Sequence, residues 1–204
     1  MSQPRHAPAT ARNRDAILAV LVDVLPPSGL LLEIASGTGE HAAYMAARLP
    51  GTIEWQPTDG AVDSLADIDG HARAGDGARI RPALLLDVTA ATWPLASASS
   101  VLCCNMIHIA PWAAAEGLFA GAARTLDRAD APLLLYGPFR RNGVHTATSN
   151  AEFDRSLQAR DARWGVRCLE SEVLPLASRS GFRLDAIRPM PANNLMVMFR
   201  RSRD

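Results

Sequence analysis

Short apolar runs alternate along this chain with segments whose apolar residues recur at helical spacing. Leu30-Leu31-Leu32-Glu33-Ile34 is the clearest run. Lacking polar alternation, it predicts a parallel strand covered on both faces. Residues 80–86, 100–107 and Pro132–Gly137 predict a third, fourth and fifth strand in the same way. Residues 52–58 instead alternate, with Ile53, Trp55 and Pro57 set against Glu54, Gln56 and Thr58. They predict a second strand with Pro57 near its end. Between the runs, helices are expected from Asn13 as cap to about Leu25, over residues 40–49, over residues 61–74, and from Pro111 to about Leu126. Val62, Leu65 and Ile68 form the apolar side of the third of these, and Gly75-Asp76-Gly77 breaks it. Residues 1–12, with Pro4 and Pro8, read as irregular. Ser149-Asn150-Ala151-Glu152 has the form of a capping box. Residues 168–180 predict a last helix closed by Gly181. Two final strands, 183–190 and 195–200, share a four-residue connection and must be antiparallel. The order is that of an α/β, doubly wound, Rossmann-like sheet with an antiparallel C-terminal addition.

Composition narrows the picture. A chain of 204 residues with 48% hydrophobic content fits one domain over 1–204 with a sizeable core. Charges balance at 21 against 21 and no long charge run occurs, which argues against a nucleic-acid groove. Every basic residue is Arg, so lysine chemistry is excluded. Cys103, Cys104 and Cys168 have neither metal nor disulfide spacing, which favours a reducing cytoplasm and no metal. No apolar signal region or membrane-length stretch is seen, so no membrane partner is expected. The partner expected is a small-molecule substrate; the oligomeric state stays open.

The chemistry gathers at the strand ends. Gly37 and Gly39 allow a sharp turn after the first strand and close approach of a ligand. Glu33 sits near that strand's carboxyl end, where open α/β sheets bind ligands. Buried there, it needs a donor, which an amine or cationic ligand would supply. Asp59 follows the second strand, 20 positions after Gly39, and can accept from both ribose hydroxyls. Asp87 follows the third. Three strands ending in carboxylates suit a nucleoside and an ammonium group, which are donors. Gly37-Thr38-Gly39-Glu40-His41-Ala42 also fits G-x-G-x-x-A, so a nicotinamide or flavin dinucleotide stays open.

The pattern Glu33-x-x-Ser36-Gly37-Thr38-Gly39 resembles motif I of the class I S-adenosylmethionine-dependent methyltransferases. A wider match joins Arg12-Asn13-Arg14-Asp15, Gln56-Pro57-Thr58-Asp59, Asn105-Met106-Ile107-His108-Ile109-Ala110-Pro111-Trp112 and Tyr136-Gly137-Pro138-Phe139. Together these resemble the DUF938 family of methyltransferase-like proteins, also called UPF0585. The resemblance implies the class I methyltransferase fold, with a mostly parallel seven-stranded sheet and an antiparallel C-terminal strand. It implies an S-adenosylmethionine site, with S-adenosylhomocysteine as product. Glu33, Ser36, Gly37 and Gly39 then match motif I, with Ala35 in place of its first glycine. Asp59 takes the ribose, Asp87 and the Val88 amide the adenine. Asn105 and Met106 lie beside the sulfonium. The polar run Arg12-Asn13-Arg14 reads either as a solvated helix start or as a segment folded over this site, where Arg12 or Arg14 meets the methionine carboxylate with a matching fork and Asn13 caps the helix or donates to the ligand. His41, at the helix start, packs or caps next to the glycine turn and is counted with the site. His108, whose free pKa lies near neutrality, is the first candidate base, and His145 the second. A non-catalytic regulator that binds the same cofactor is the other reading of this fold.

Overall fold

The computed structural model describes residues 5–75 and 79–202. In chain order the elements are α1 (Pro8–Val24), β1 (Gly29–Ile34), α2 (Glu40–Ala46), β2 (Ile53–Asp59), α3 (Val62–Ala74), β3 (Leu84–Leu85), β4 (Ser100–Cys104), α4 (Trp112–Thr125) and β5 (Pro132–Gly137). They continue as β6 (Arg140–Arg141), β7 (Val144–His145), α5 (Thr148–Arg160), α6 (Leu174–Arg179), β8 (Phe182–Met190) and β9 (Asn194–Arg201).

The sheet order is β3-β2-β1-β4-β5-β9-β8. Pairing is parallel from β3 through β5 and antiparallel at β5–β9 and β9–β8. The unbroken apolar runs follow from burial of both faces. Leu32, Ile34, Val101, Cys103, Leu133 and Leu135 pack with α4 in one core. Leu31, Leu102 and Leu134, one residue out of step, pack with α1 and α2 in the other. Cys103 and Cys104 face opposite sides, as expected. On the first side Phe119 of α4 meets Phe182 and Phe199 edge to face, with ring centroids 5.7 Å and 5.4 Å away. Truncating a buried Phe to Ala costs about 3–5 kcal/mol.

Several boundaries differ from expectation. α1 starts at Pro8, capped by the extended Ala7, not at Asn13. Pro at the first helical position loses no hydrogen bond there. Residues 80–86 yield only the two-residue β3 and an isolated bridge from Ile80 to Trp55. Pro82 has no amide for the ladder. β4 stops at Cys104, because Asn105 turns left-handed (φ 64°) and Met106–His108 form a 3-10 turn. β2 is buried at Gln56 and Thr58 as well as at Ile53 and Trp55, so its alternation does not mark a solvent face. Val62 is exposed, and Ile68 carries the α3 contact. α2 ends at Ala46, short of residue 49. Gly75 ends α3, while Asp76 and Gly77 lie outside the described residues. Ser149 lies inside α5 and caps nothing; Ala147 precedes the helix. The last helix opens with a π turn, Leu169–Val173, before α6. Pro175 has no amide for the regular ladder there.

Candidate functional site

The chain runs from β1 to β2 and β3 on one side and returns to β4 on the other. The carboxyl ends of β1 and β4 therefore flank a switch point, where such sheets take ligands. The turn after β1 is left-handed at Ala35 (φ 56°), Gly37 (φ 60°) and Gly39 (φ 83°). The two glycines serve different ends. A Cβ on Gly37 would meet nothing within 4 Å, so its face is open. A Cβ on Gly39 would sit 2.6 Å from Ile68 Cα, so this glycine admits α3, not a ligand.

Each carboxylate has internal donors. Glu33 is buried, and its Oε2 accepts from Ser36 Oγ at 2.7 Å and Trp55 Nε1 at 3.0 Å. Its need for donors is thus met in part from β2, not by a cationic ligand alone. Burial pushes its pKa up to about 7, against the pull of those two bonds. Ser36 is buried, and its Oγ also accepts from the Thr58 amide at 3.2 Å. Asp59 Oδ2 accepts from the Gly37 amide and Oδ1 from the Ala61 amide, both at 2.9 Å. Asp87 accepts from the Thr89 hydroxyl at 2.7 Å and amide at 2.9 Å, which hold its carboxyl below the usual range.

Two of the cavities along this edge meet at the end of β4. One, of about 240 Å³, is lined by Ala35, Gly60, Asp87, Val88, Met106 and Ala110, among others. The other, of about 360 Å³, is lined by Arg12, Asn13, Asn105, Tyr136, Asn194 and the 191–192 turn. Asn105 and Met106 are successive residues facing different cavities. The left-handed Asn105 makes this division, and Asn tolerates that conformation better than most residues.

Asn13 spans α1, α2 and β5. Its Oδ1 accepts from His41 Nε2 at 2.8 Å, and its side chain also bonds the Tyr136 phenol. Burial pulls the His41 pKa to about 4 and so favours the neutral ring. Burial also raises the Tyr136 pKa, against hydrogen bonds from Asn13 and Asn194. Arg12 reaches the larger cavity, but Arg14 does not line it. Arg14 stacks on Tyr44 at 4.0 Å, and Arg48 lies 3.8 Å from the same ring.

His108 differs from the expected base. It is fully buried, which pulls its pKa to about 3. Its Nδ1 accepts from the Arg167 amide at 3.2 Å, so the neutral ring keeps its proton on Nε2. That nitrogen has no partner and lies 2.7 Å from where a Gly137 Cβ would be. The ring is a donor, not a proton acceptor. His145 is arranged the other way. Its Nε2 is 3.2 Å from Asp154 Oδ2, while its Nδ1 has no partner.

The profile of DUF938, described as a protein of unknown function, matches residues 4–201. The chain belongs to the DUF938 family. The fold of this DUF938 chain is that of the class I methyltransferases. It is similar to mitomycin 7-O-methyltransferase MmcR, with a TM-score of 0.79, 18% identity, and 95% of this chain and 54% of that chain covered. It is similar to human N-acetylserotonin methyltransferase, solved with S-adenosylmethionine, with a TM-score of 0.78, 15% identity, and 96% and 53% covered. A putative methyltransferase from Bacillus halodurans C-125 matches at a TM-score of 0.71 and 13% identity, with 92% and 98% covered. This DUF938 chain spans 56% and 54% of the first two solved structures it matches. No helix among the described residues is long and apolar enough to cross a membrane.

In this DUF938 chain the sequence reading missed Tyr136 and Asn194, both on the larger cavity. Tyr136 ends the apolar run Leu133-Leu134-Leu135, and a phenol closing a buried strand was the available signal. Asn194 had none, since it resembles any turn asparagine.

Proposed function

We propose that this chain, as one domain, is an S-adenosylmethionine-dependent methyltransferase with a small-molecule acceptor. The observation carrying this is the division at Asn105–Met106. One cavity has the carboxylate and amide edge that a nucleoside needs, and a second polar cavity begins at the adjacent residue.

The residues fit the cofactor. Gly37 presents an open backbone face. Asp59 and Asp87 keep acceptor capacity beyond the amides they hold. In this reading Asp59 receives the ribose hydroxyls, Asp87 and the Val88 amide the adenine edge, and Met106 its flat face. The Ser36–Gly39 turn lies under the methionine portion, and Arg12 and Asn13 receive its carboxylate. Glu33 and His41 hold the turn and α1 in place, as positioning residues. Bound, the cofactor supplies an electrophilic methyl group on a sulfonium, for transfer to an acceptor heteroatom. Asn105 and Tyr136 hold the acceptor in line, which can contribute about 7–11 kcal/mol in ideal cases. His108 stays a buried donor behind Gly137, outside both cavities. His145, held by Asp154, keeps an unpartnered Nδ1 that is likewise buried and lines neither cavity, so it serves as a base only if the 140–150 segment moves. Asn150 Nδ2 donates to the Asn193 carbonyl at 2.9 Å, which ties α5, carrying Asp154, to the cavity rim. The three free thiols agree with a cytoplasmic setting.

A regulator that binds the cofactor without turnover is favoured by one observation. The larger cavity is lined by no imidazole or carboxylate. Two measurements separate the readings. S-adenosylhomocysteine should raise the melting temperature while NAD and FAD do not; equal stabilisation by NAD would end both readings. Formation of S-adenosylhomocysteine with a panel of small phenols, carboxylates and amines then identifies the enzyme, and binding without product identifies the regulator.

A further inference from the structure

Three polar side chains from three separate elements meet away from both cavities. His6 precedes α1, Glu40 opens α2 and His71 lies in the last turn of α3. We propose that His6, Glu40 and His71 form a surface site for a divalent transition-metal ion of the zinc class. One candidate donor atom from each residue lies within 4.8 Å of the others. His6 Nδ1 is 2.9 Å from Glu40 Oε1, and the His6 and His71 rings meet edge to face at 5.2 Å.

The surrounding bonds prepare the donors. His71 Nε2 donates to the Arg5 carbonyl at 2.9 Å, which orients the ring against His6. Glu40 Oε2 accepts from the Ala7 amide at 2.6 Å and the Thr38 hydroxyl at 2.9 Å. These hold the carboxylate still and leave Oε1 for the ion. The ion enters between His6 Nδ1 and Glu40 Oε1 and releases the proton they share. Tetrahedral donors around zinc lie about 3.3–3.6 Å apart, given bonds of about 2.0–2.2 Å. The His6 side chain, 74% exposed, turns inward to supply the contraction. Two imidazoles and one carboxylate select zinc, nickel or copper over calcium or magnesium, which prefer oxygen. A fourth position stays open to water.

The site has a structural consequence. It fastens the segment before α1 to α2 and α3, and that segment leads into Arg12 and Asn13. None of this rests on the methyltransferase reading.

The test uses the untagged full chain after chelator treatment. Titration with zinc by calorimetry should give one saturable site per chain, and cobalt should give visible d–d absorption. His6→Ala and His71→Ala should each weaken zinc binding at least about tenfold. Zinc should raise the melting temperature of the parent but of neither variant. His145→Ala should bind as the parent does. His6 is exposed, so its variant folds whatever happens at His71. Absence of saturable binding by micromolar zinc, or binding that survives His6→Ala, overturns the site.

Discussion

The Gly37 amide donates to Asp59 Oδ2 at 2.9 Å, so the turn after β1 hangs from the tip of β2. One carboxylate therefore shapes the turn and, through Ala61, the start of α3 beside Gly60, which lines the smaller cavity. Asp59→Ala should weaken S-adenosylhomocysteine binding by about 1.5–3 kcal/mol, the range for hydrogen bonds to charged groups. Calorimetry on the folded variant checks this. Unchanged affinity removes Asp59 from the site.

Glu33 gives a pH dependence with a definite sign. Its carboxyl titrates near 7 in the folded chain and near 4.5 in the unfolded one. Between those values the folded state holds a proton that the unfolded state has lost. Glu33's contribution is thus greatest below 4.5, falls as pH rises to about 7, and is flat above. Glu33→Gln, which mimics the neutral form, should remove this slope. Relative to the parent it should gain on the order of 3 kcal/mol between pH 4.5 and pH 8. Urea unfolding at the two pH values measures the difference. Parallel curves would show that Glu33 is ionised throughout.

A Cβ on Gly117 of α4 would lie 2.4 Å from the Val88 carbonyl oxygen. Helix propensity alone favours Gly117→Ala by about 1 kcal/mol. Overpacking costs about 1–3 kcal/mol and pushes residues 87–88 outward. The variant should be less stable, and its affinity for S-adenosylhomocysteine should fall. A higher melting temperature would mean that the 87–88 segment yields freely.

Ala35 holds φ at 56°, a conformation in which its Cβ crowds the carbonyl. Relief of about 1–2 kcal/mol on Ala35→Gly opposes about 0.5–1 kcal/mol of added chain entropy in the unfolded state. The substitution should be neutral or stabilising by up to about 1 kcal/mol, unlike a typical Ala→Gly change. Thermal unfolding reads this directly. A loss of 1 kcal/mol or more would mean that the Ala35 methyl packs better than its geometry suggests.

What the sequence revealed depended on the range of the interactions. β1 and β5 were legible because burial of both faces leaves an unbroken apolar run. Glu33 and Asp87 were legible for the same reason, since each interrupts or closes such a run, while Asp59 was legible from its spacing after Gly39. The start of α1 was not. Asn13 is a good local cap, but its amide serves His41 on α2 instead. The end of β4 was hidden because Asn105 turns left-handed to divide two cavities, a demand no neighbour in sequence announces. Glu33's donor from Trp55 and Tyr136's link to Asn194 come from other strands. Pattern along one segment cannot report them.

The two cavities differ in how much of the chain each requires. Every residue lining the smaller falls between Ala35 and Ala114. The larger joins Arg12 and Asn13 to Pro191 and Asn194. During synthesis from the N-terminus, the parts of the first are available when little more than half of these residues have emerged. The second waits for β9 to insert beside β5, the pairing that brings Asn194 to its wall. Folding from the N-terminus thus has an order built into it, in which the smaller cavity can take shape well before the larger.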